Sequence, residues 1–157
     1  MKGKRVAIPG GAGFIGSNLA DELATSNSVI IIDDLSTGKK ENIASLIEKG
    51  NVRFIQGSIL DLSLLQESFR GVDFVFHLAA LPSVTRSTKD PQATNEVNIT
   101  GTLNVLLAAR DNKVEKVIYS SSSSVYGDTR ILPKKEDLLP CPQSSYAVTK
   151  LCGEYYC

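Results

Sequence analysis

The sequence predicts an α/β domain built on a doubly wound parallel sheet. Three observations carry that prediction. Short β-branched apolar runs recur along the chain, separated by segments with apolar residues at helical spacing. The run "SVIIID" at 28–33 is apolar on both faces, as a strand inside a parallel sheet must be. Glycines cluster directly after the first apolar run, where a strand must turn tightly into a helix.

The elements follow in order. "RVAI" at 5–8 is the first strand, and "FIGSNLADELAT" is a helix with Phe14, Leu19 and Leu23 at helical spacing. The second strand is 28–33. "KENIASLIEKG" at 40–50 predicts an amphipathic helix, with Ile43, Leu46 and Ile47 inward and Gly50 as its stop. "NVRFIQG" is a third strand. "DLSLLQESFRG" is a helix capped by Asp61 or Ser63 and stopped at Gly71. "VDFVFHLAA" is a fourth strand. A long helix covers about 90–112, "EKVIYSS" is a fifth strand, and Ser144 or Ser145 caps a last helix through "YAVTKLCGEYYC". Helical crossovers between five strands require the parallel arrangement.

Composition narrows the function classes. The 17 basic and 17 acidic residues cancel, which gives no reason to expect nucleic acid or an anionic membrane as partner. No apolar run approaches the roughly 20 residues of a membrane span. The N-terminal apolar run is too short for a signal peptide. Three cysteines without a CxxC pair, and a single histidine, argue against a disulfide framework or a metal site and fit a reducing cytoplasm. The sequence ends within the last helical pattern, so the expectation is an N-terminal piece of a longer protein, with 1–157 as one domain.

The glycines carry the first chemistry. Gly10, Gly13 and Gly16 stand three residues apart, and Gly11, Gly13 and Gly16 also satisfy G-x-G-x-x-G, so the register stays open. Either way, glycines after the first strand let backbone N–H groups approach a pyrophosphate at a helix N-terminus, the Rossmann-type arrangement. The second strand ends in Asp33, just over 20 residues beyond Gly10. A carboxylate there accepts hydrogen bonds from ribose hydroxyls and repels a 2′-phosphate, which favours NAD over NADP.

"YAVTK" places Tyr146 and Lys150 four residues apart on one helix face. A phenol of pKa about 10 is a poor base at neutral pH. Bringing it near 7 takes about 4 kcal/mol, which one ammonium about 4 Å away supplies at an effective dielectric of about 20. Lys150 can therefore make Tyr146 a working base.

With "GGAGFIGSNL", "DDLSTGKKENI", "HLAALPSV", "EVNITGTLNVLLAAR", "SSSSVYGD" and "SSYAVTK" in hand, the sequence resembles the extended short-chain dehydrogenase/reductases, and among them the nucleotide-sugar epimerases of the UDP-glucose 4-epimerase type. The resemblance implies an NAD-binding domain here and a C-terminal substrate domain beyond it. It implies a homodimer for the full-length protein and a UDP-sugar as substrate. It assigns Gly10, Gly13, Phe14, Ile15 and Gly16 to the pyrophosphate loop. Asp33 and Asp34 fall at the ribose, and Leu35, Ser36, Thr37 and Gly38 in the adenosine-side loop. Ser58 and Ile59 meet the adenine side. Leu78, Ala79 and Ala80 line the cofactor, and Asn98 supports it from the long helix. Ser122, Tyr146 and Lys150 match the catalytic set; Ser83 and Ser124 match positions near the sugar nucleotide.

Two residues depart from the pattern. Pro9 replaces a threonine before the first glycine and removes one N–H. Ser58 replaces an aspartate that meets the adenine amino group, leaving an acceptor without charge assistance. His77 reads as structural.

The serine run at 120–124 bears on the reaction. Dehydratases and decarboxylases that resemble this chain have acidic residues just before "VYG"; here those positions are Ser123 and Ser124, which cannot act as carboxylic acids. An epimerase needs less. Tyr146, aided by Ser122, takes the 4-hydroxyl proton, NAD takes the C4 hydride, and the 4-keto sugar turns over and takes it back on the other face. The expected function is NAD-dependent 4-epimerisation of UDP-glucose and UDP-galactose. Alternatives are another nucleotide-sugar oxidoreductase on the same scaffold, or a non-catalytic NAD-binding module.

Overall fold

The computed structural model describes residues 1–157. Five strands, β1 (Arg5–Pro9), β2 (Ser28–Asp33), β3 (Val52–Gln56), β4 (Phe74–His77) and β5 (Lys116–Tyr119), form one sheet in the order β3-β2-β1-β4-β5. Every pairing is parallel; Ile8 of β1 stands beside Ile31 of β2, and His77 of β4 beside Tyr119 of β5.

The alternation of side chains along the strands builds a core on each face. Ala7, Ile30, Ile32 and Val75 face one side and pack with Leu65, Phe69, Val105 and Ala108. Val6, Ile8, Val29 and Ile31 face the other and pack with Ala20, Ala24, Ile43 and Leu46. Val29, Ile30, Ile31 and Ile32 are all buried. At about 1.5–3 kcal/mol for each fully buried aliphatic side chain, β2 anchors both layers.

The helices are α1 (Phe14–Ala24), α2 (Ala44–Ile47), α3 (Leu62–Ser68), α4 (Val84–Lys89), α5 (Pro91–Asn95), α6 (Gly101–Asp111) and α7 (Ser145–Tyr156). Asp61 caps α3, its Oδ1 accepting from Leu64 N at 2.9 Å, and Ser144 caps α7, accepting from Ala147 N at 3.1 Å. No helix is long and apolar enough to cross a membrane.

One element differs from expectation, one was not anticipated, and one carries an interruption. The helix expected over 40–50 is a 3₁₀ turn (Lys40–Asn42) followed by the short α2, because Asn42 turns back to donate to Ala12 O at 2.8 Å. Helix α4 carries no apolar stripe; it is held by its Ser83 cap and the fully buried Ser87. The long helix begins at Pro91 under an Asp90 cap and passes through a π turn, Glu96–Thr100, before α6.

Candidate active site

A cavity of about 490 Å³ opens at the carboxyl ends of the strands. This is where a doubly wound sheet takes its ligands. Its floor is the glycine turn. Gly10 has φ +84°, and a Cβ there would collide with the backbone of Ala79; a Cβ on Gly16 would collide with Gly10 O. Gly11 instead packs against Ile31 and Ile8. Gly10, Gly13 and Gly16 line the cavity and Gly11 does not, so the open register resolves to the spacing of three. Beside Gly13 the only neighbour of a Cβ would be Gly10 O at 3.4 Å, leaving that side clear. Gly13 starts α1 without a capping side chain, so the N–H groups of the first turn, with Phe14 and Ile15 at the cavity, are left for an anion. The cradle therefore fits a pyrophosphate.

Asp33 stands at the end of β2, buried at the cavity wall. Its carboxylate first organises the turn: Oδ2 accepts from Ala12 N at 3.0 Å and Oδ1 from Leu35 N at 2.9 Å. A carboxylate has about four acceptor positions, so two remain for ribose hydroxyls. Asp34, Ser36 and Thr37 continue the lining. Leu35, at φ +62°, turns toward the core, and Gly38 lies against Ala12 and Asp33, both outside the lining. Lys150 is the only basic residue in the lining, so no arginine or lysine lines this end of the cavity beside Asp33.

Leu78, Ala79 and Ala80 form the opposite wall, extended by Leu81, Pro82 and Val97. Gly57 and Ile59 reach the cavity, whereas Ser58 turns aside and its Oγ accepts from Leu60 N at 3.2 Å. Asn98 lies behind the wall, fully buried in the π turn. Its Oδ1 accepts from Leu81 N at 2.7 Å, and its Nδ2 donates to Leu81 O at 3.2 Å and to Thr149 Oγ1 at 3.1 Å. One side chain thus ties this wall of the cavity to the helix that carries Tyr146 and Lys150. A π turn re-aims a side chain in this way, which helps explain why such turns gather at functional sites.

Tyr146 and Lys150 line the cavity from α7, with Ser120 and Ser121 facing them from the end of β5. The Tyr146 hydroxyl has no partner within the chain. Its backbone N–H donates to the buried Ser87 Oγ at 3.1 Å, which fixes the start of α7 against α4. Ser122 caps a 3₁₀ turn over Ser123–Tyr126; its Oγ accepts from Ser124 N at 3.2 Å and lies 2.8 Å from Ser124 Oγ. The backbone bond points inward to Ser122; of the two hydroxyls either can donate, and with Ser124 as the donor the Ser122 proton is free for an oxygen outside the chain. Ser122, Ser124 and the exposed Ser83 lie beyond the lining of the cavity.

Lys150 is buried and makes no ion pair or hydrogen bond through Nζ. Burial pushes its ammonium down from an ordinary 10.5 to about 8. His77, fully buried, has its pKa lowered to about 3, first by burial and then by the charge of Lys150. Thr102 Oγ1 donates to Asn98 O at 2.6 Å, so the 2.9 Å contact from His77 Nε2 must be a donation to Thr102. His77 is then neutral with its proton on Nε2, and Nδ1 has no partner.

Sequence reasoning missed Ile32, Gly57, Leu81, Pro82, Val97, Ser120 and Ser121 in the lining and Ser87 and Thr149 behind it. Leu81 and Pro82 simply continue "LAA", and Ser120 and Ser121 lie in the serine run. Ser87 and Thr149 carried no local signal, since each matters only through a contact distant in sequence.

The fold and cradle define a dinucleotide-binding α/β domain of the Rossmann type. The chain belongs to the NAD dependent epimerase/dehydratase family, whose profile matches residues 6–157, and NAD is that family's cofactor. It is 42% identical over 156 residues to the UDP-glucose 4-epimerase of Mycolicibacterium smegmatis, covering 97% of this chain and 50% of that protein. It is 40% identical over 160 residues to the UDP-N-acetyl-alpha-D-glucosaminuronate decarboxylase of Bacillus cytotoxicus, covering 98% and 49%. Among solved structures it superposes on the UDP-N-acetylglucosamine 4-epimerase of Methanobrevibacter ruminantium, solved with UDP-N-acetylmuramic acid, with a TM-score of 0.94 and 42% identity over 99% of this chain and 50% of that one. The chain spans about half the length of these relatives.

Proposed function

We propose that these residues form the NAD-binding domain of an NAD-dependent UDP-hexose 4-epimerase acting on UDP-glucose and UDP-galactose, completed in the full-length protein by a C-terminal substrate domain. One observation carries the choice of reaction. Asp33 and Asp34 are the only carboxylates lining the cavity, and both sit at the end of β2, with β1 and β4 between them and β5, beside which Tyr146 lies. An elimination or decarboxylation that needs an acid beside the sugar finds serines lining that end, and Glu154 of α7, outside the lining, is taken up by a bond from Ser121 Oγ.

Each residue then has a task. The N–H groups after Gly13 hold the pyrophosphate, and Asp33 holds the adenosine ribose. Bound NAD supplies a nicotinamide ring that can accept a hydride and return it. Tyr146 takes the 4-hydroxyl proton and gives it back. Lys150, charged, favours the phenolate of Tyr146. Ser122 donates its free proton to the same sugar oxygen, its hydroxyl polarised by the two bonds it accepts from Ser124. The small serines leave space for the sugar to turn. Val148 and Tyr155, at least half exposed on the outer face of α7, support a homodimer of the full-length protein.

The test is an assay of the full-length protein with UDP-glucose, UDP-galactose and UDP-glucuronate. Interconversion of the first pair without added NAD supports the reading. Release of CO₂ from UDP-glucuronate, without interconversion of the hexoses, overturns it and favours the decarboxylase chemistry of the Bacillus relative.

A further inference from the structure

Lys150 presents an unusual electrostatic problem. Its side chain is buried but for the cavity that its ammonium faces, and no carboxylate and no hydrogen-bond acceptor within the chain meets that ammonium. The one group on which it rests is the ring of Tyr119, whose centroid lies 4.7 Å from Nζ. Tyr119 is the last residue of β5, and the fold has made a place for it. Its hydroxyl donates to Lys150 O at 3.4 Å, a long bond. The helix above it carries Gly153, where any Cβ would collide with the Tyr119 hydroxyl. On its other side the ring meets His77, with centroids 5.6 Å apart and planes at 48°. The ring is thus gripped from β4 and α7, its position set by packing.

We infer that Tyr119 is a positioning residue for the reaction proposed above: its ring is the seat that keeps the Lys150 ammonium charged and pointed at the cavity. The titratable groups around the pair are His77 from β4 and Tyr146, Cys152, Glu154 and Cys157 from α7. None bonds to Nζ. His77 is neutral, and Glu154 is held by Ser121 Oγ. A carboxylate in place of the ring would hold the ammonium more strongly but would add a second base beside Tyr146. An aromatic face attracts the cation through its quadrupole and cannot take its proton. The inference depends on Lys150 serving Tyr146, so its test needs a readout independent of turnover.

The experiment replaces Tyr119 in the full-length protein with phenylalanine, and then with mono-, di- and trifluorophenylalanine. Shape is nearly constant along that series while the negative face of the ring is progressively lost. The first readout is the pH midpoint of Lys150 acetylation by acetic anhydride, followed by peptide mass, since only the neutral amine reacts. The midpoint is expected to fall with each fluorine, by about half a pH unit over the series. An unchanged or rising midpoint overturns the inference. The second readout is the basic limb of kcat for UDP-galactose. If it moves down in parallel, the epimerase reading stands too. If the labelling midpoint moves and the limb does not, the ring is still the seat of Lys150 but the ammonium does not serve Tyr146 as proposed. Because every variant keeps a six-membered ring in the slot beside Gly153, the series remains readable where Tyr119→Leu fails to fold.

Discussion

At the scale of single residues, Lys150 sets function against stability. Holding its pKa at about 8 rather than 10.5 means that folding disfavours the charged form by about 3 kcal/mol. Below pH 8 both folded and unfolded chains carry the charge, so the full cost is present. Between 8 and 10.5 the unfolded chain holds a proton that the folded one has released, so stability rises with pH across that window. Lys150→Met keeps the stem and deletes the charge. It is expected to raise stability at pH 7 by up to about 3 kcal/mol in urea unfolding, to flatten the rise above pH 8, and to lower kcat by at least a hundredfold. A destabilised methionine variant would show that the ammonium has partners that offset its burial. Tyr146→Phe makes the complementary case. The phenol oxygen has no partner in the chain, so its loss is expected to remove nearly all turnover while bound NAD, read by absorbance of the denatured supernatant, stays stoichiometric. Loss of the cofactor would make Tyr146 a binding residue instead.

At the scale of elements, the site depends on how α7 is tied to the sheet. The strands, the glycine turn and the four-residue spacing of Tyr146 and Lys150 were legible because each is written in local periodicity or local backbone need. Helix α4 was not legible: "VTRSTK" has no apolar stripe, and its one buried side chain is Ser87. The π turn was hidden inside a run that reads as ordinary helix. The resemblance pointed to Asn98 but not to its bonds, which join residues 17 and 51 positions away. The choice of Ser122 among five consecutive serines rested on its alignment to "VYG" alone, since hydroxyls of equal chemistry differ only in direction. Asn98→Ala would leave the N–H and C=O of Leu81 and the hydroxyl of Thr149 without their partner. A buried group without its hydrogen bond costs about 1–3 kcal/mol. The variant is expected to lose about 2–4 kcal/mol in denaturant unfolding. It should also weaken NAD binding at least tenfold by calorimetry, because Leu81 lines the cavity. Unchanged affinity would mean that the wall holds its shape through β4 alone.

At the scale of the whole molecule, His77 couples the sheet to pH from the acid side. It is fully buried, its Nε2 proton is committed to Thr102, and its pKa is lowered from 6.5 to about 3. Above pH 6.5 it is neutral in both folded and unfolded chains and has no effect. As the pH falls from 6.5 towards 3 the unfolded chain takes up a proton that the folded chain refuses, so stability drops across that window. His77→Gln keeps a donor for Thr102 and removes the titration. Its urea midpoint is expected to fall less steeply between pH 6.5 and 4 than that of the native protein. Equal slopes would assign the acid sensitivity to the carboxylates.

The sheet also shows what the 157 residues can do by themselves. The glycine turn, Asp33 and the wall from Leu78 to Pro82 all line one cavity within them, the place proposed for the cofactor. The sugar end is not enclosed to the same degree. Ser83 is exposed, Ser122 and Ser124 lie beyond the lining, and Leu132 and Leu139 nearby in the chain are 77% and 88% exposed. Catalysis requires the C4 hydrogen to be held at about 3–3.5 Å from its acceptor, and a sugar touching one wall is too mobile and too wet for that. β5 is an edge strand, and its Ile118 is 37% exposed, so its free backbone groups invite pairing with another strand. The 157-residue chain alone is therefore expected to bind NAD, to self-associate as its concentration rises, and to interconvert UDP-glucose and UDP-galactose at less than a tenth of the rate of the full-length protein. A coupled assay on a sample of confirmed mass, run alongside sedimentation, separates these outcomes. Turnover within tenfold of the full-length protein would show that the sugar is held by this half alone, and a monomer at all concentrations would show that the β5 edge is protected by its own loops.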